Sequence, residues 1–191
     1  MFDSVYLESF AAALQSRPDV LERFEPGLSG QEVDAIQQRF RFIFPPDLRM
    51  MLQFSLPAGK AFPNWRSDSN EQLLSRLNWP LEGALFDVEN NGIWPAAWGP
   101  RPDRESQRSE IALKVFAGAP RLIPIFAHRY IPDEPFAAGN PVFSVYQTDI
   151  IHRGNDLAGF FHQEFKVPLP DWAAGEPKEI RFWNDALRWR D

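Results

Sequence analysis

Leu122-Ile-Pro-Ile-Phe-Ala-His-Arg-Tyr-Ile-Pro132 and Gly139-Asn-Pro-Val-Phe-Ser-Val-Tyr-Gln-Thr-Asp-Ile-Ile-His-Arg-Gly-Asn-Asp-Leu-Ala-Gly-Phe-Phe-His-Gln-Glu-Phe165 decide the fold class of this chain. Short apolar, β-branched runs bounded by Pro, Gly and Asn are strand signals. They predict strands over 122–127, 142–146 and 149–152, the last two paired as a hairpin with a bulged turn at Gln147-Thr148. Beyond Gly154 the period changes. Leu157, Phe160, Phe161 and Phe165 recur at helical spacing after Asn155, which is expected to cap the helix. Strands covered by a helix make an α+β domain.

Working outward, residues 3–15 read as a helix with Leu7, Phe10, Ala11 and Leu14 on its buried face. Pro18 is suited to open a second short helix burying Val20, Leu21 and Phe24. Ser29-Gly30-Gln31-Glu32 is a capping box, and Val33, Ile36 and Phe40 form the stripe behind it. Pro46-Asp47 opens the next helix, carrying Leu48, Met51 and Leu52, and Leu56-Pro57-Ala58-Gly59 closes it. Residues 62–66 read as an edge segment. Two helices are expected at 70–78, burying Leu73, Leu74 and Leu77, and at 80–88, with Pro80 between them. An aromatic and proline loop over 93–102 leads to a helix at 109–117. After a linker, Pro177 opens a last helix with Ile180, Trp183 and Leu187 as its stripe.

The 191 residues read as one domain. Eighteen prolines exceed the usual proportion of about one in twenty, so short elements joined by stiff loops are expected. Twenty basic residues against 26 acidic ones give a net charge of −6, which argues against a nucleic-acid binder and suits a basic protein partner. Absence of cysteine removes disulfides, thiolate ligands and cysteine nucleophiles. The acidic start is unlike a signal peptide and no apolar run is long enough to span a bilayer, so a cytoplasmic protein with no membrane association is expected.

Chemical motifs are sparse. His128, His152 and His162 lack metal-motif spacing, so no metal is expected. An acid–base site would need His128 to meet Asp149 or His152 in space; otherwise these are ordinary surface or hydrogen-bonded histidines. Ser144 lies mid-strand without a nucleophile elbow. The glycines make neither a dinucleotide fingerprint nor a phosphate loop, so no cofactor is expected. Seven tryptophans are the remaining lead. Trp94 and Trp98 sit in a loop near Arg101, either as interface anchors or folded onto the core.

The order of these motifs resembles the SUKH superfamily, bacterial immunity-type proteins related to a yeast regulator of cell-wall synthesis. The resemblance runs through Gly27-Leu28-Ser29, Phe44-Pro45-Pro46-Asp47-Leu48, Phe62-Pro63-Asn64-Trp65-Arg66, Trp79-Pro80 and Phe86-Asp87-Val88-Glu89. It continues through Trp94, Trp98-Gly99, Arg101-Pro102, Leu122-Ile123-Pro124-Ile125, His128-Arg129-Tyr130 and residues 140–154. It covers about residues 27–165, and the single domain adds N-terminal helices and a C-terminal helical extension. Leu56-Pro57-Ala58-Gly59 departs from the Asn-Gly that many members carry there. The resemblance implies a mostly antiparallel central sheet flanked by several α-helices. It also implies a non-enzymatic, protein-binding role, as an immunity protein neutralising a toxin such as a basic nuclease, or as a general regulator or scaffold. An enzyme using His128 with Asp149 is the rival outside that class. The motif positions able to anchor a partner are Trp65, Arg66, Trp94, Trp98, Arg101, His128, Arg129 and Tyr130, with no catalytic residue among them.

Overall fold

The computed structural model describes residues 3–19, 21–173 and 175–190, in an α+β arrangement. Helix α1 (Ser4–Gln15) is capped by Asp3, whose carboxylate accepts from Tyr6 N, and buries Tyr6, Leu7, Phe10 and Leu14. Among the described residues the helix expected at Pro18 does not form. Strand β1 (Arg23–Pro26) occupies that stretch and pairs antiparallel with β2 (Ser55–Ala58), the segment expected to end a helix as a turn. Pairing with a distant segment overrode the local proline signal. Val20 lies outside the described residues.

Between them, α2 (Gly30–Phe40) starts at the expected capping box, with Ser29 and Glu32 satisfying one another's backbone. Helix α3 (Pro46–Phe54) has Pro at its first position, where a missing N–H removes no bond. Residues 62–66 form turns, not an edge strand.

One helix, α4 (Asn70–Asn90), replaces the two expected, with Pro80 inside it. Proline removes the bond that residue 80 would make to the carbonyl of Arg76. That carbonyl accepts instead from the hydroxyl of Tyr130, at 2.9 Å. A tertiary donor replaces the missing amide, so the helix survives a residue that the sequence presents as a stop. Leu73 and Leu77 are buried as expected, but Leu74 is exposed.

After a loop that holds one 3₁₀ turn at Ala96–Trp98, α5 (Glu105–Ala117) starts earlier than expected. Four strands follow as an antiparallel meander: β3 (Leu122–Phe126), β4 (Arg129–Pro132), β5 (Val142–Tyr146) and β6 (Asp149–Gly154). β4 was not anticipated; His128-Arg129-Tyr130 opens a strand instead of ending one. The β5–β6 turn is two residues long, and the bulge lies at the far end, between Val142 and Phe143. Helix α6 (Leu157–Phe165) is capped by Asp156, not Asn155. The final helix shrinks to α7 (Trp183–Ala186), preceded by an irregular stretch with one 3₁₀ turn at Asp171–Ala173 and followed by turns.

The sheet divides two cores. Ile123, Ile125, Ile131 and Val142 face a cluster with α1, α2, α3 and α6, in which Phe10 stacks on Phe161 at 4.2 Å. Leu122, Tyr130, Phe143, Val145 and Ile150 face a smaller cluster closed by Ile180, Trp183 and Ala186. Trp183 donates its indole N–H to Pro120 O at 2.7 Å, which ties the C-terminal segment to the β3 end of the sheet. Among the described residues no helix is long and apolar enough to cross a membrane.

Candidate functional site

A cleft of about 640 Å³ opens between α4, the loops after α1 and β2, and the β3–β4 turn. Four aromatic rings line it: Trp79, His128, Tyr130 and Tyr146. Each arrives for a local reason. Arg76 and Trp79 are three residues apart on α4 and share a face. Tyr130 forms part of the wall, buried, its phenol fixed on the Arg76 carbonyl. Burial pushes that phenol above its usual range, so it stays a hydroxyl donor.

The mouth is held by backbone. Ala127, in the left-handed region at φ 47, gives its N–H to Ala61 O at 2.7 Å and so joins the β3–β4 turn to the loop after β2. Arg76 reaches the same loop, donating to Ala61 O at 3.4 Å and Lys60 O at 3.2 Å. Tyr146 ends β5 just before the hairpin turn, which lies hard against α4. A Cβ on Gly83 would come within 2.8 Å of Gln147 Cα, closer than side-chain carbons approach backbone. Gly83→Ala is therefore expected to push the turn outward, at a cost of about 1–3 kcal/mol. A lowered midpoint in urea unfolding checks it.

Charge at the cleft is mixed. Asp19 is engaged by Arg17 through two bonds, at 2.9 and 2.7 Å. Glu22 and Lys60 line the same opening with opposite charges. The His128 ring stands edge-on to Tyr146 with centroids 6.3 Å apart. Burial, then the neighbouring Arg129 and Arg153 guanidiniums, lower its pKa against the pull of Glu164, so its neutral form prevails at pH 7. Among the described residues no hydrogen bond joins His128 to Asp149, although Tyr146 neighbours both. His152 stacks on Phe143 at 5.1 Å instead. Among the described residues, no three His, Asp or Glu side chains gather as a metal ion requires.

Of the eight positions expected to anchor a partner, the cleft collects His128 and Tyr130. Trp65 is buried, edge-on to Phe40, Phe42 and Phe44 at 6.2, 5.6 and 5.2 Å, and cannot reach a partner. Arg66 is a brace, donating to Glu32 at 2.6 Å, Pro26 O at 2.8 Å and Gly27 O at 3.1 Å. Arg129 donates to Ser144 Oγ at 2.9 Å and stands 3.8 Å from Glu164 of α6. Trp94 and Trp98 meet edge-on at 5.3 Å, Trp98 packs on Trp189, and Arg101 reaches the Val88 carbonyl. These rings fold onto the protein's own C-terminal segment, away from the cleft.

Trp79 and Tyr146 were missed. Trp79 precedes a proline that the sequence presents as a helix end, and Tyr146 closes a strand whose alternation is legible but whose neighbours are not.

No family model, no curated protein and no solved structure matches this chain. The likeness to the SUKH superfamily stands on its motifs alone.

Proposed function

We propose that this chain is a non-enzymatic, cytoplasmic protein-binding module that takes up a segment of its partner in the aromatic cleft. One observation carries the reading. Trp79 and Tyr146 keep 42% and 56% of their surface open, and both border the opening that Tyr130 backs from within. Large rings held open at a concave site are the anchors on which interfaces concentrate their energy. Aromatic walls with a few charged groups at the rim suit an extended segment with one or two apolar side chains.

The SUKH-like motif order supports an immunity role, in which the partner is a toxin such as a basic nuclease. The net charge of −6 would favour encounter with such a partner. The alternative is a general regulatory or scaffolding domain with several partners.

The test is capture from host lysate at low salt, with wild-type and Trp79→Ala protein side by side and mass spectrometry of what is retained. A protein held by the wild type and lost from the variant is the expected result, with affinity falling about 30-fold or more for a loss of about 2 kcal/mol. Equal capture by both would remove the cleft from the binding surface.

A further inference from the structure

The outer edge of the sheet carries a second surface. Among the described residues β6 pairs only with β5, so its other side is a sheet edge. Register decides which backbone groups that edge presents. Tyr146 is opposite Asp149, Val145 opposite Ile150 and Ser144 opposite Ile151. Across a two-residue turn, hydrogen-bonded and non-hydrogen-bonded pairs alternate, starting with a bonded pair at the turn. Asp149 and Ile151 therefore direct their N–H and C=O groups to β5, while those of Ile150 and His152 point outward. Val145 bears this out: its N–H turns away from β6 and donates to His128 O at 3.0 Å. Among the described residues, no backbone hydrogen bond from elsewhere in the fold reaches Ile150 or His152.

Such an edge is a template for another strand, and folds commonly blunt it with a bulge, a proline or a covering loop. β6 has none of these along 149–152, its bulge falling only at Arg153, and Ile151 keeps 54% of its surface exposed. Its charges add direction. Asp149 and Arg153 lie two residues to either side of Ile151; alternation puts Asp149 on the Ile151 face, and Arg153 reaches that face through Glu164, which also takes Arg129 beside Ser144, the residue opposite Ile151. A parallel copy would set like charges opposite one another. An antiparallel copy with its twofold axis at Ile151 sets Asp149 opposite the partner's Arg153, and Arg153 opposite the partner's Asp149. The same register puts Ile150 opposite the partner's His152, so the outward groups of both strands pair. Ile151 then meets its counterpart at a non-hydrogen-bonded position, where side chains come closest. Arg153 commits Nε and Nη2 to Glu164, at 3.2 and 3.0 Å, so Nη1 remains for the incoming carboxylate.

We propose that the chain forms a twofold dimer through antiparallel pairing of β6 about Ile151, joining two four-stranded sheets into one. The occupant is a second copy because this strand is its own complement in hydrogen-bond phase, in apolar contact and in charge. Nothing in the proposal depends on the cleft or its ligand.

The chain's lack of cysteine makes the test direct. Ile151→Cys places the only two thiols of the dimer on the twofold axis, with Cα atoms about 4.5 Å apart, within disulfide reach. Asp149→Cys, on the same exposed face, places them four residues out of register, roughly 13 Å apart. Mild oxidation is expected to cross-link Ile151→Cys at least about tenfold more than Asp149→Cys on a non-reducing gel, as the ~4.5 Å and ~13 Å spacings require. Sedimentation of the wild type should give twice the 22.0 kDa chain mass. Equal cross-linking of the two variants, or a wild type that sediments as a monomer throughout, would overturn the dimer.

Discussion

Asp87→Ala is expected to destabilise the fold by about 3–5 kcal/mol, the usual cost of removing one partner from a buried charged network. For a chain of this size that lowers the melting temperature by roughly 6–20 °C. Asp87 sits near the end of α4 with no exposed surface. Its carboxylate accepts from the Thr148 N–H at 3.0 Å, the Thr148 hydroxyl, the Asn91 amide and Arg190 Nη2 at 2.8 Å. One group thus holds the β5–β6 turn and the C-terminal segment against the same helix. Thr148 is buried, so its N–H finds no water once the carboxylate is gone. The Arg190 side chain is 43% exposed and can return to solvent, so Arg190→Ala should cost less, about 1–2 kcal/mol. Denaturant midpoints rank the two, and an Asp87→Ala curve lying on the wild-type curve would refute the role.

The same site fixes part of the acid limb of stability. Burial alone would raise the Asp87 pKa, but the Thr148, Asn91 and Arg190 donors outweigh it and hold it below the ordinary value. A depressed carboxylate stabilises the fold above its unfolded pKa of about 3.9, and that contribution is lost as pH falls through the folded value. Asp47, Asp133 and Asp156 act in the opposite sense. Burial raises each of them, so ionisation weighs against the fold and acidification relieves it. Comparison of wild type with Asp87→Asn isolates the Asp87 share: the gap between them should close as pH drops below about 4.

Where neighbours in sequence supply the physics, the chain was legible. The Ser29–Glu32 capping box, the proline start of α3, the β5–β6 hairpin and the phenylalanine stripe of α6 are local patterns, and each stands where the residues place it. What escaped depends on distant partners. β1 exists because β2 pairs with it, and α4 passes through Pro80 because Tyr130 supplies a hydroxyl from another element. The last helix is short where a longer one was expected, and Ile180, Trp183 and Ala186 close the second core over the sheet, a packing no local pattern announces. The candidate site followed the same rule. His128 and Tyr130 were visible as strand-end residues, whereas Trp79 and Tyr146 join them only through the packing of α4 on the β5–β6 turn. Aromatic residues advertise an interface and a core in the same way, and only burial separates the two.

Trp65 and Trp79 make that separation measurable. Trp65 is 4% exposed and ringed by three phenylalanines between α2 and α3. Truncation to alanine opens a cavity that those rings can only partly fill, so Trp65→Ala is expected to lose about 3–5 kcal/mol. Trp79 is 42% exposed and its ring borders the cleft. Its removal leaves no cavity in the core, so Trp79→Ala should melt within about 0.5 kcal/mol of the wild type while losing the partner. The two variants therefore exchange phenotypes: one loses stability and retains binding wherever it is still folded, the other loses binding and retains stability. Thermal melts and partner titration on both proteins read this out below the melting point of Trp65→Ala. If folded Trp65→Ala kept the wild-type melting temperature and lost the partner, Trp65 would be an anchor after all. The packing of Phe40, Phe42 and Phe44 around it would then have to open on binding, a cost that the exposed rings of the cleft do not incur.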